Sequence, residues 1–173
     1  MMNAAYVYLQ LYRLFDSVTP VQVDCGELCQ KACCKGDDSG MFLFPGEENV
    51  YKLLSPDWIR IENTDFKYEY NGKTHTVPIA LCKGMCDRYQ RPLSCRIFPL
   101  TPYLTEDEKI KVIVDPRGKG ICPMAKAFYV EDFDEQFVKN IEKAFKLLAK
   151  NSQIKAFLKE YSAYIDEFKK FYN

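Results

Sequence analysis

The residues in this chain best able to do chemistry are its cysteines, eight among 173 residues and set out in bunches. Four fall in Cys25-Gly-Glu-Leu-Cys29-Gln-Lys-Ala-Cys33-Cys34. Three more follow in Cys82-Lys-Gly-Met-Cys86 and Ser94-Cys95-Arg96, and Cys122 stands alone before Pro123. This density is below the share of about 8% that marks a small disulfide scaffold. Clustered thiols in a reducing compartment bind metal or do catalysis more often than they cross-link. Bunching suits chelation, because sulfurs about 2.3 Å from one ion must converge from short loops. Cys25, Cys29, Cys33, Cys34, Cys82, Cys86, Cys95 and Cys122 are therefore all candidate metal ligands. Thiolates suit zinc or an iron–sulfur cluster, whereas calcium and magnesium want oxygen and are excluded as partners of this set. His75 is the only histidine. A cysteine nucleophile would lack its usual base, so thiol-protease-like chemistry is not expected.

Spacing adds detail. If residues 25–34 are helical, Cys25, Cys29 and Cys33 lie four apart on one face. Cys34 then turns about 100° away, so Cys33 and Cys34 would serve different sites. Cys82 and Cys86 repeat the four-residue step, and neither window has the Cys-x-x-Cys step of zinc ribbons. Eight thiols suffice for two four-thiolate sites, or for one site plus a remainder. A site of four thiolates and one zinc ion carries two negative charges. Lys83, Arg88, Arg91 and Arg96 could offset them, with Arg91 and Arg96 read as supports of the ligands and surface charge the plain alternative. Cys122 has a core thiol as its own alternative. Asp37-Asp38 and Glu47-Glu48 read as loop and helix-start charges, with added oxygen ligation or partner binding as the functional reading.

The second window, Cys82-x3-Cys86-Asp-Arg-Tyr89-Gln-Arg91-Pro92-Leu-Ser-Cys95-Arg96-Ile-Phe98-Pro99, resembles the motif of the YkgJ-type cysteine-cluster family. That family is described as a zinc- or iron-chelating domain. Tyr89, Arg91-Pro92, Cys95-Arg96 and Phe98-Pro99 match its closing block. The first window departs from the family pattern, with gaps of three residues where the family has two. The resemblance covers roughly residues 25–125 and implies metal chelation. A flagellin lysine methylase shares a similar cluster, which keeps an iron–sulfur centre in view.

The elements that must position these residues follow from periodicity and turn chemistry. Met1 to about Asp16 reads as a helix, with Gln10, Arg13 and Asp16 on its polar side. Met41–Phe44 reads as a short strand stopped by Pro45-Gly46, and Glu47–Leu54 as a short helix opened by its two glutamates. Trp58–Glu62 alternates like a strand. Phe66–Tyr70 and Lys73–Val77 flank Asn71-Gly72, the strongest short hairpin signal. His75 on that hairpin is expected to be exposed. Lys109–Val114 reads as a further strand. Asp132-Phe-Asp-Glu135 resembles a capping box. Phe137, Ile141, Phe145 and Leu148 then keep helical spacing, and after Asn151-Ser152 so do Ile154, Phe157, Leu158, Tyr161, Ile165, Phe168 and Tyr172. The fold class is α+β. A small cysteine-rich metal-binding core over 25–125, with short strands and a hairpin, is flanked by an N-terminal helix and a C-terminal helical hairpin over 132–173, all within one domain of 1–173.

Composition excludes several other classes. Lys and Arg number 24, as do Asp and Glu, and this neutral balance lacks the footprint of a nucleic-acid binder. The first apolar stretch, Ala4–Tyr12, is far short of the about 20 residues a membrane span needs, and its flanks are not those of a secretory signal. A cytoplasmic protein is expected, with neither nucleic acid nor membrane among its partners. The function expected is metal binding by thiolates, the metal being structural and zinc slightly ahead of iron. An iron–sulfur protein with a redox or catalytic role is the alternative, as is an adaptor whose C-terminal helices bind a protein partner.

Overall fold

The computed structural model describes residues 4–23, 25–35, 39–83, 86 and 88–171. Helices and small antiparallel sheets are both present, as the α+β reading requires. The chain divides into two compact units interleaved in sequence: Met1–Ser17 with Cys34–Arg96, and Val18–Cys33 with Ile97–Asn173. The stretch 25–125 is thus shared between both units. Among the described residues no helix is long and apolar enough to cross a membrane.

In the first unit, α1 (Ala4–Arg13) buries Ala5, Tyr8, Leu11 and Tyr12, an i, i+3, i+6, i+7 stripe. It packs on α3 (Glu48–Leu54), joined by the Tyr8 hydroxyl donating to the Pro45 carbonyl at 3.0 Å. The sheet has order β1-β3-β2, all antiparallel, from β1 (Ser39–Phe42), β2 (Ile59–Tyr70) and β3 (Lys73–Cys82). Asn71 and Gly72 both take positive φ, 50° and 68°, as a two-residue turn matching the right-handed strand twist demands. The two strands expected before that turn are one, β2. Its register shifts between Asn63 and Lys67, where the Thr64 hydroxyl fills the gap by donating to the Val77 carbonyl and accepting from the Phe66 amide. Gly40 lies so close to β3 that a Cβ there would sit 2.6 Å from Leu81 Cδ2 and 2.9 Å from the Ala80 carbonyl.

His75 is not exposed as expected. It faces Tyr68 across the strand pair and stacks on that ring at 5.2 Å, with Tyr70 at 6.2 Å. Cross-strand partners share a face, and the face that buries Tyr68 half-buries His75 too.

In the second unit, β4 (Leu100–Leu104) pairs antiparallel with β5 (Ile110–Val114) and is covered by α6 (Glu135–Leu148) and α7 (Ser152–Lys169). Phe137, Ile141, Phe145, Phe157, Leu158 and Ile165 are fully buried on those helices. The helix α6 is capped by Asp134, two residues into the expected box, whose carboxylate accepts from the Phe137 amide at 2.9 Å. Asn151 caps α7 through the Gln153 and Ile154 amides. A polar cluster ties α7 to the rest of this unit. Arg117 pairs with Asp115 and donates to the Tyr161 hydroxyl, which also bonds Thr101 at 2.9 Å.

Candidate functional site

The first cysteine window does not form one helix. Only α2 (Cys25–Leu28) is helical, and a separate turn of 3-10 helix covers Ala32–Cys34. Between them Gln30 and Lys31 take left-handed backbone, φ 53° and 56°. The Lys31 amide donates back to the Gly26 carbonyl at 2.9 Å, the long-range bond that closes a helix at a left-handed residue. Glutamine stands where glycine is usual, so nothing in the residue types announces the break. Cys25, Cys29 and Cys33 therefore do not share a helical face. Cys29 Sγ donates to the Cys25 carbonyl at 3.3 Å, and Cys25, Cys29 and Cys33 are half-buried in the second unit. The boundary between units falls between Cys33 and Cys34. Cys122, the other cysteine of the second unit, is buried at the start of α5 (Pro123–Ala127).

Cys34, Cys82, Cys86 and Cys95 belong to the first unit, all half-buried. Within the first unit, Cys82 at the end of β3 pairs with Ser39, five residues along the chain from Cys34. The segment after Cys82 is pinned by side chains rather than by regular structure. The Tyr51 hydroxyl donates to the Gln90 carbonyl at 2.9 Å, and Trp58 Nε1 donates to Gln90 Oε1 at 3.1 Å. The short helix α4 (Leu93–Ile97) then presents Cys95. Each neighbour of Cys95 is anchored. The Leu93 amide donates to Glu47 Oε1 at 2.6 Å and the Ser94 hydroxyl to the Phe42 carbonyl at 2.7 Å. The buried Arg96 guanidinium bonds the carbonyls of Arg91, Arg88 and Tyr12 and pairs with Asp16 at 2.9 Å.

The two arginines singled out from the sequence thus have different tasks. Arg96 spends its donors on backbone and Asp16 and lies over the Tyr12 ring at 4.5 Å, so it clamps the scaffold. Arg91 turns to sulfur, its Nε donating to Cys86 Sγ at 3.2 Å. Burial alone would lower the Arg91 pKa. The charge and hydrogen bond of Cys86, with Cys95 and Cys34 beyond, outweigh burial and raise it. Burial pushes the Cys95 thiol well up and Cys34, Cys86 and Glu47 push it further, against the pull of Arg91. Cys34, Cys86 and Cys95 are therefore one electrostatic group around a guanidinium. All eight cysteines are thiols. Among the described residues no three Cys, His, Asp or Glu side chains form a ready-made ion cage. The donor set fits a soft cation by chemistry, while its sulfurs are not drawn up around a point.

Glu47 is the functional-looking residue whose role the sequence concealed. It is fully buried and accepts from the Tyr12 hydroxyl at 2.6 Å and from the amides of Leu93 and Phe44. Burial raises its carboxyl to about 7, with the Leu93 amide, the Tyr12 hydroxyl, the Phe44 amide and Arg96 pulling the other way. It acts as a remote cap for α4, and so sets where Cys95 stands. Glu48 remains a helix-start charge, its Oε2 accepting from the Gly46 amide. Asp37 and Asp38 lie outside the described residues. Compared with known proteins, the chain matches no family model, no curated protein and no solved structure.

Proposed function

We propose that this protein binds a thiophilic metal ion, zinc or iron, through its clustered cysteine thiolates, and that the ion is structural. The observation that carries this reading is the gathering of Cys34, Cys86 and Cys95 around Arg91. Three half-buried thiols beside a fixed cation make a soft donor set, and a dication supplies the charge that lets such sulfurs ionise. Cys82, the other cysteine of the same unit, would be the fourth ligand. These sulfurs sit on a strand end, a single 3-10 turn, an irregular segment and a five-residue helix, short pieces of the kind a bound ion orders. Elemental analysis of anaerobically prepared protein, with a chelator titration followed by thermal melting, tests the proposal. Bound zinc or iron whose removal lowers the melting temperature is the expected result. A metal-free protein that melts as the untreated one does would end the structural role.

An iron–sulfur centre with a redox or catalytic role is a second reading. It is favoured by the partition of the cysteines, four in each unit, which matches two four-thiolate sets. Visible absorption and EPR on anaerobic protein separate the two, since zinc thiolates are colourless and EPR-silent.

A further inference from the structure

In the first unit Arg91 turns a donor toward sulfur without being a ligand itself. Arg91 Nε lies 3.2 Å from Cys86 Sγ, within the range of an N–H···S hydrogen bond. Its partners separate its role from that of Arg96. Arg96 is engaged by three backbone carbonyls and Asp16, so its removal would leave buried acceptors and a buried cation site empty of charge. Arg91 has a carbonyl that serves Arg96 and a side chain turned the other way, toward Cys86. We infer that Arg91 is a positioning and charge-compensating residue of the thiolate metal site, holding Cys86 by its Nε–H and offsetting one negative charge of the loaded centre. This rests on the metal-binding reading and adds to it which cation tunes the site.

The physical basis is charge. Three thiolates and a divalent ion leave one negative charge, and four leave two, among half-buried groups. A guanidinium in hydrogen-bond contact with one sulfur neutralises a charge at the closest possible distance and cannot lose its proton near neutrality. An N–H···S bond also withdraws electron density from sulfur, which lowers the energy of its lone pairs. Groups of this kind around metal ligands commonly contribute 10–100-fold in affinity. The field of the same guanidinium opposes the rise that burial imposes on the Cys95 thiol.

Cobalt(II), added anaerobically to the full chain after chelator treatment, is the probe. The unmodified protein is expected to develop thiolate-to-cobalt charge-transfer absorption. Arg91→Met is expected to bind cobalt about 10–100-fold more weakly, with that band moved to longer wavelength, while the metal-free protein keeps its urea midpoint. Arg91→Lys should restore part of the affinity. Arg91→Gln, neutral but polar, gives the same reading if Arg91→Met does not fold. Arg96→Lys, in contrast, should lower the urea midpoint and leave the band position unchanged. A neutral Arg91 variant that binds cobalt with wild-type affinity and an unmoved band overturns the inference and spares the metal reading. Absence of any thiolate band in the unmodified protein overturns both, and so tells the two failures apart.

Discussion

Glu47 shows what a single buried carboxyl does to the behaviour of the first unit. Its pKa rises from an ordinary 4.5 to about 7 because burial disfavours the charge more than its donors favour it. A folded-state pKa above the unfolded one means that the native state holds the proton more tightly. Stability is therefore greatest below pH 4.5 and falls as pH rises toward 7, by about 3 kcal/mol for a shift of this size. Denaturation midpoints measured between pH 4.5 and 8 should show that fall. In Glu47→Gln the fall should flatten, with an offset of about 1–3 kcal/mol because an amide NH2 cannot accept from the Phe44 amide. Arg96→Met should cost about 3–5 kcal/mol in urea unfolding, since it strips three carbonyls and Asp16 of one shared donor. Neither role was legible in the sequence. The cysteines and Arg91-Pro92 announce themselves by type and spacing, whereas the burial of Glu47 depends on Tyr12, Phe44 and Leu93, which lie far apart along the chain.

Elements that obey local rules were the legible ones. Asn71-Gly72 dictates its own backbone, and the apolar stripes of α6 and α7 repeat at helical spacing over 14 and 18 residues. By contrast β4 contains Pro102, which breaks a strand pattern, and it is tolerated because among the described residues β4 is an edge strand paired with β5 alone. The helix at Cys25 ends at Gln30 without the glycine that would signal it. Ser55, closing α3, is likewise left-handed at φ 44°, with its amide bonded to the Tyr51 carbonyl. Replacing a left-handed serine by glycine removes backbone strain, so Ser55→Gly is expected to stabilise by about 1 kcal/mol and raise the melting temperature by about 2–4 °C. Phe157→Ala on α7, where the ring is fully buried and stacked on Tyr161, should cost about 3–5 kcal/mol. The same burial bears on α6 and α7 together. Their apolar residues are spent on β4 and β5, so deletion of 132–173 is expected to leave the second unit insoluble, read by sedimentation of the lysate.

At the scale of the whole molecule, charge and cysteine distribution set the expectations. The net charge is zero, so binding to a polyanion column should vanish at modest salt. Four cysteines fall in each unit, and the stretch 25–125 contributes to both. Contact between distant segments decides that partition, and spacing along the chain carries no record of it. The interleaving has a consequence for how the protein is made. As the polypeptide leaves the ribosome, residues 1–17 must wait for 34–96 before their partners exist, and 18–33 must wait longer, until the chain from 97 onward has been translated. Cys25, Cys29 and Cys33 therefore emerge early and meet their final neighbours last.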